Sequence, residues 1–183
     1  RAKEAALASL AGPGPGPADR RDELAVKVDT LKDFHLLNQE GIDVLILPVS
    51  KANLHQLPTF AGKLRGRRDR IIWHLPFIMF EESLPFYRNA VDMLLEHGFN
   101  RFEASNLCHF TLLRNREVDI CTDFRLFSLN TQALLHWQEQ GATAATLCLE
   151  DDFLNMKELL GAELPIIRRV ELYAPVPVIT SKI

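Results

Sequence analysis

The chain has 183 residues, 47% hydrophobic and 25% charged, which suits one globular domain with an exposed N-terminal extension. A net charge of −3 gives no general attraction to nucleic acid or to an anionic membrane. The longest apolar runs are strand-length, so neither a signal peptide nor a spanning segment is read, and the expectation is no membrane partner.

In chain order, residues 1–10 are Ala-rich with helical spacing, and 12–17 alternate Gly and Pro, which form neither helix nor strand. Residues 1–22 therefore read as an N-terminal helix and linker, and 23–183 as the folded domain. The chain opens on Arg1 rather than Met and reads as a piece of a longer protein. A strand is expected over 24–28. Asp29 and Thr30 signal the cap of a helix over 31–39, which Gly41 stops. Residues 44–49 are continuously apolar, as in a strand buried on both faces. Ser50 caps the helical stretch that follows. The run from Lys63 to Arg70 is the one basic patch, and it reads as a solvated loop before a third strand over 71–77. A helix spans 86–97 and a strand 101–105, and Asn106 can cap a helix over 107–113. Strand five is 118–122, followed by a helix over 131–140 and a stop at Gly141. Strand six is 144–149, with a helix over 153–160 and a seventh strand over 166–173.

Seven strands alternating with helices predict an α/β fold, a (β/α) TIM-barrel-like sheet of about seven parallel strands. A complete barrel has eight such units in about 250 residues, so an incomplete barrel is expected, or one completed by another part of the parent. In such folds chemistry lies at the strand C-termini. There the sequence collects Asp29, His74, Glu103, Asn106, Asp123, Asn130 and Glu150. Glu103 and Asp123 come from adjacent strands, so their carboxylates can share a ligand or raise one pKa. Asp29, Asn106 and Asn130 are equally well explained as helix caps, and Glu150 as part of a polar turn with Asp151 and Asp152. Alternation places Trp73 and His74 on opposite faces, so one of them points into the barrel. His109 and His136 read as surface or packing residues.

No zinc-spaced His/Cys set, no nucleophile–His–acid order and no Gly-rich phosphate loop occurs, so no metal site is expected in these residues. Cys108, Cys121 and Cys148 form no CxxC pair, and two lie in strands as small hydrophobes, which fits a reducing cytoplasm. Lys27, within the first strand, is a minor candidate for a Schiff-base lysine.

Several short words then occur in a telling order. They are Leu75-Pro76-Phe77, Leu94 to Gly98, Asp123 with Ser128-Leu129-Asn130, Gly141 leading to Leu147-Cys148-Leu149-Glu150, and Tyr173 to Ser181. In that order and spacing the chain resembles the peptidase U32 family, the collagenase-like proteases, over most of 24–183. The resemblance implies a (β/α) barrel. It matches the family's acid and Leu-Asn pair to Asp123 and Leu129-Asn130, and the strand-end Glu to Glu150. It implies a peptidase, or an enzyme of oxygen-independent hydroxylation of RNA or small molecules that carries an iron–sulphur cluster on cysteines. The chain departs from the pattern at Ala174, where Gly is usual, and lacks the His that often precedes it. The family's cysteine cluster would start just after Ser181, so no cofactor ligand carries over to these residues.

The leading expectation is thus an enzyme module with Asp123 and Glu150 catalytic and with His74, Glu103, Asn106 and Asn130 holding a peptide or RNA substrate. The alternative is a non-catalytic module that completes a barrel, binds substrate or forms a homodimer. Either way its partners include other domains of the parent.

Overall fold

The structure is a computed structural model that describes residues 22–174. The expected N-terminal helix and Gly/Pro linker, and the tail from Pro175 through Ser181, lie outside the described residues. Seven parallel strands form one sheet in strictly sequential order. They are β1 (Ala25–Lys27), β2 (Val44–Pro48), β3 (Ile71–His74), β4 (Arg101–Ala104), β5 (Asp119–Thr122), β6 (Ala142–Thr146) and β7 (Ile167–Arg169). Five α-helices join them: α1 (Lys51–Leu64), α2 (Leu84–Glu96), α3 (Leu107–Leu113), α4 (Thr131–Glu139) and α5 (Phe153–Gly161). Right-handed crossovers that always step the same way place every helix on one face. The other face is covered only if the sheet curls on itself. The result is a curled half-barrel, an incomplete (β/α) barrel as the sequence predicts. Among the described residues, no helix is long and apolar enough to cross a membrane.

Strand alternation sorts the two faces. Leu45, Leu47, Trp73, Phe102, Ile120 and Ala145 point outward into the main core. They meet Leu57, Leu94 and Leu134 from the helices in the same cluster. Trp73 packs edge-on against Phe99 at 5.7 Å, and Phe110 stacks on Trp137 at 5.7 Å. The concave face carries a second, smaller cluster of Val44, Ile46, Ile72, Cys121 and Ala144.

Three expectations are corrected. The segment after β1 is a 3-10 helix, Leu31–Asn38, rather than an α-helix. Leu31, Phe34 and Leu37 recur every third residue, which aligns them on one side at three residues per turn; Leu31 and Leu37 are buried and Phe34 packs on the core. Strand β3 stops at His74, because Leu75 gives the last ladder bond, to the Glu103 carbonyl at 3.0 Å, and Pro76 has no N–H. Strand β6 begins two residues earlier than expected and ends at Thr146. A register shift at Ile120/Cys121 pairs Ala142 with Ile120 and leaves Thr143 as the extra, unpaired residue of a bulge in β6. Its far end is set by β7, which is three residues long and gives its last carbonyl, that of Arg169, to the Leu147 N–H.

The basic run lies before β3, at the opposite end of the sheet from the strand C-termini. Arg70 donates to the carbonyls of Ile42 and Asp43, so this part of the run is structural.

A buried side chain ties the first two units together. The Asn53 amide accepts from the Leu31 N–H at 2.9 Å and donates to the carbonyls of Asp29 and Pro48, each at 3.0 Å. Asn53→Ala strands the buried Leu31 N–H without a partner. The expected loss is about 2–3 kcal/mol, read as a lowered denaturant midpoint with an unchanged m-value.

Candidate functional site

Five of the seven strands deliver an inward-pointing polar residue to the C-terminal end of the concave face. Lys27 ends β1, His74 ends β3, Glu103 lies within β4, Asp123 follows β5 and Arg169 ends β7. Glu103 and Asp123 are fully buried, at 1% and 0% exposure, which demands that each carboxylate be paired.

The pairing converges on Lys27. Its Nζ lies 3.3 Å from Glu103 Oε2, 3.6 Å from Asp123 Oδ2 and 3.0 Å from Glu171 Oε1. His74 Nδ1 stands 2.7 Å from Glu103 Oε2 and 3.9 Å from Asp123 Oδ2. Arg125 closes the other side of Asp123, with its Nη1 at 2.7 Å and its backbone N–H at 3.0 Å from that carboxylate. The Arg125 guanidinium lies 4.4 Å from the Phe124 ring centre and 5.6 Å from that of Phe77. Three carboxylates (Glu103, Asp123 and Glu171) thus gather around Lys27 and Arg125, and the charge of Arg169 also acts on Glu103.

These contacts set the protonation states. Burial opposes the charge on Glu103. The His74 hydrogen bond and the charges of Lys27, His74 and Arg169 outweigh it, and the carboxyl is held down at about 2. Burial likewise opposes the charge on Lys27, but the Glu103, Asp123 and Glu171 carboxylates overcome it and push the ammonium's pKa up. The expectation that the Glu103–Asp123 pair raises one pKa is therefore corrected for Glu103: cations separate the two acids. The Schiff-base role for Lys27 is corrected too, since an amine held as ammonium is a poor nucleophile. An ionised Glu103 only accepts hydrogen bonds, so His74 Nδ1 carries the proton between them. Nε2 presents a lone pair only when the ring has given up its second proton.

His74, Glu103 and Asp123 each place a ligand atom within 4.8 Å of the others, a spacing suited to a cation. The Lys27 ammonium already stands against both carboxylates and supplies that charge. An iron–sulphur cluster does not fit the described cysteines. Cys121 lies buried on the concave face with its thiol pushed up to about 12, chiefly by burial. Cys148 is buried after β6 and Cys108 is partly exposed on α3, and the three form no ligand group among the described residues.

The residues expected from sequence divide cleanly. His74, Glu103 and Asp123 are brought together, with His74 pointing into the barrel and Trp73 away from it. Asn106 and Asn130 act as caps: Asn106 accepts from the Cys108 N–H at 3.0 Å, and Asn130 from the Ala133 N–H at 2.9 Å. Asn106 also donates to the Phe77 carbonyl at 3.0 Å, which fixes a rim loop. Glu150 is exposed in the turn after β6, outside the cluster. Thr30 rather than Asp29 caps the 3-10 helix, accepting from the Lys32 N–H. Sequence reasoning missed Arg125, Arg169 and Glu171. A charged residue at an inward position of an apolar strand, as at Lys27 and Glu103, was the available signal. His109 is wholly buried behind this end of the sheet and accepts the Ser105 N–H at its Nδ1. Burial, aided by the charge of His74, pushes it down to about 4.

No family model, curated protein or solved structure matches this chain.

Glu103 and His109 both weaken the fold in acid. The stability from His109, neutral when folded, is complete above pH 6.5 and is lost as pH falls through about 4. That from Glu103 is complete above pH 4.5 and is lost as pH falls through about 2. Denaturant midpoints measured from pH 7 to pH 3 are expected to fall steadily from about pH 6.5 downward. His109→Gln should flatten the upper part of that decline.

Proposed function

We propose that this barrel is the substrate-binding and acid–base module of a larger protein related to the peptidase U32 family, and that its substrate is a peptide. The observation that carries the reading is the 2.7 Å contact of His74 with an ionised, buried Glu103, with the Lys27 ammonium 3.3 Å from the same carboxylate oxygen. That arrangement has a base, an orienting acid and a fixed cation at the end of a barrel where substrates bind.

In hydrolysis, His74 Nε2 takes a proton from water as its oxygen attacks the amide carbonyl carbon. Glu103 balances the imidazolium that forms, and Lys27 offers its charge to the developing oxyanion. Collapse of the tetrahedral species breaks the C–N bond, and His74 returns the proton to the leaving amine. Asp123 does not touch substrate in this scheme; it positions Lys27 and Arg125. The rim favours a peptide over RNA. The loops after β3 and β6 expose Glu81, Glu150 and Asp152, whose charges repel a phosphodiester backbone. Glu150 accordingly acts at the rim. Free cysteines at all three positions suit a reducing compartment such as the cytoplasm.

A second reading rests on a different observation. Ile167 pairs with Ala144 of the concave face yet is 52% exposed, and β1 and β7 are the two ends of the sheet. A module that completes a barrel with another domain of the parent, or with a second copy, would cover that side.

His74→Ala and Glu103→Gln in the full-length parent should each lower kcat for peptide cleavage by about 10²–10⁴ with folding preserved by circular dichroism. Full turnover in both variants rejects the catalytic reading. If parent association is instead lost in Ile167→Lys while both cluster variants behave as wild type, the barrel-completing role is the correct one.

A further inference from the structure

We infer that Phe127, on the loop that begins with Asp123, forms an apolar subsite for a side chain of the peptide substrate; this rests on the peptide reading above. Two non-glycine residues among those described have positive φ, Asn115 at 61° and Phe127 at 52°. Asn tolerates that conformation, whereas for a bulky aromatic residue it is an outlier. Phe127, with ψ at 56°, lies in the left-handed region just after the 3-10 turn Phe124–Leu126.

Packing does not explain the ring, because Phe127 is 56% exposed. Its neighbours explain the backbone. Leu126 and Ser128 are both buried, Ser128 bridges to Leu147, and the Leu129 N–H returns to the Phe127 carbonyl at 2.9 Å. Anchors on either side force the chain to turn, and glycine would make that turn without strain. The chain instead carries an aromatic ring that the core does not use, on the loop that begins with Asp123. Strain of this kind gathers at ligand sites.

The surroundings define the ligand. Phe77 on the loop after β3 is 45% exposed and faces Arg125, and Leu129 is 40% exposed. Phe77 therefore borders the charged cluster through Arg125, and the exposed Glu81 and Glu150 lie in the loops after β3 and β6. Such a rim fits an apolar side chain flanked by basic residues.

The test uses two fluorescein-labelled pentapeptides, one with Phe between paired lysines and one with Gly in its place, titrated into the whole chain by fluorescence anisotropy. Wild type is expected to bind the Phe peptide about tenfold more tightly. Phe127→Gly and Phe127→Ala should both erase that preference. Phe127→Gly should keep or raise Tm, since glycine enters the left-handed region freely. A preference unchanged in both variants overturns the subsite and leaves the peptide reading standing. A Tm lowered by several degrees in Phe127→Gly with the preference kept makes the ring structural. Wild type that binds neither peptide refutes the peptide reading, and the subsite with it.

Discussion

The Lys27 ammonium holds the concave end of this structure together. It comes from the first strand and meets carboxylates from β4, from the loop after β5 and from the segment after β7. A sheet wound in one direction brings its first and last strands toward each other only by curling. The Lys27–Glu171 pair, 144 residues apart, links those two ends. Without that cation, two fully buried carboxylates would face each other across adjacent strands. Removing one partner of a buried ionic network leaves an uncompensated charge, a loss of about 3–5 kcal/mol in other proteins.

The same constraint governs the protonation of the cluster. Balanced charges keep Glu103 ionised despite its burial and keep Lys27 protonated. Glu103 then orients His74 rather than competing with it for the proton. Lys27 is held as a paired ammonium. The apolar layer beneath, from Val44 to Ala144, excludes water from below and strengthens each of these contacts. The outer layer of Trp73, Phe102 and the helices keeps the strands rigid, so charges carried on separate strands hold their spacing.

The fold was legible to a large degree because its signals are local. Val44 to Val49 lacks polar residues because both faces of β2 are covered. Ser50, Asn106 and Asn130 announce helix starts because the first N–H groups of a helix need acceptors nearby in the chain. The departures have nonlocal causes. The bulge that shifts β6 depends on its pairing with β5, and the short reach of β7 ends the ladder before Leu149. The three-residue repeat of Leu31, Phe34 and Leu37 was visible, but a 3-10 helix and an α-helix read alike over so short a stretch.

The site divides along the same line. Acids and a histidine at the strand C-termini were readable from the chain, because alternation and strand order follow from it. His74, Glu103 and Asp123 were legible on that ground. Which of the candidates meet depended on the curl of the sheet. The fold left Glu150 on the rim, made caps of Asn106 and Asn130, and brought in Lys27, Arg125, Arg169 and Glu171. Electrostatic partners are chosen by distance in space, and the curl of the sheet sets that distance between strands far apart in sequence.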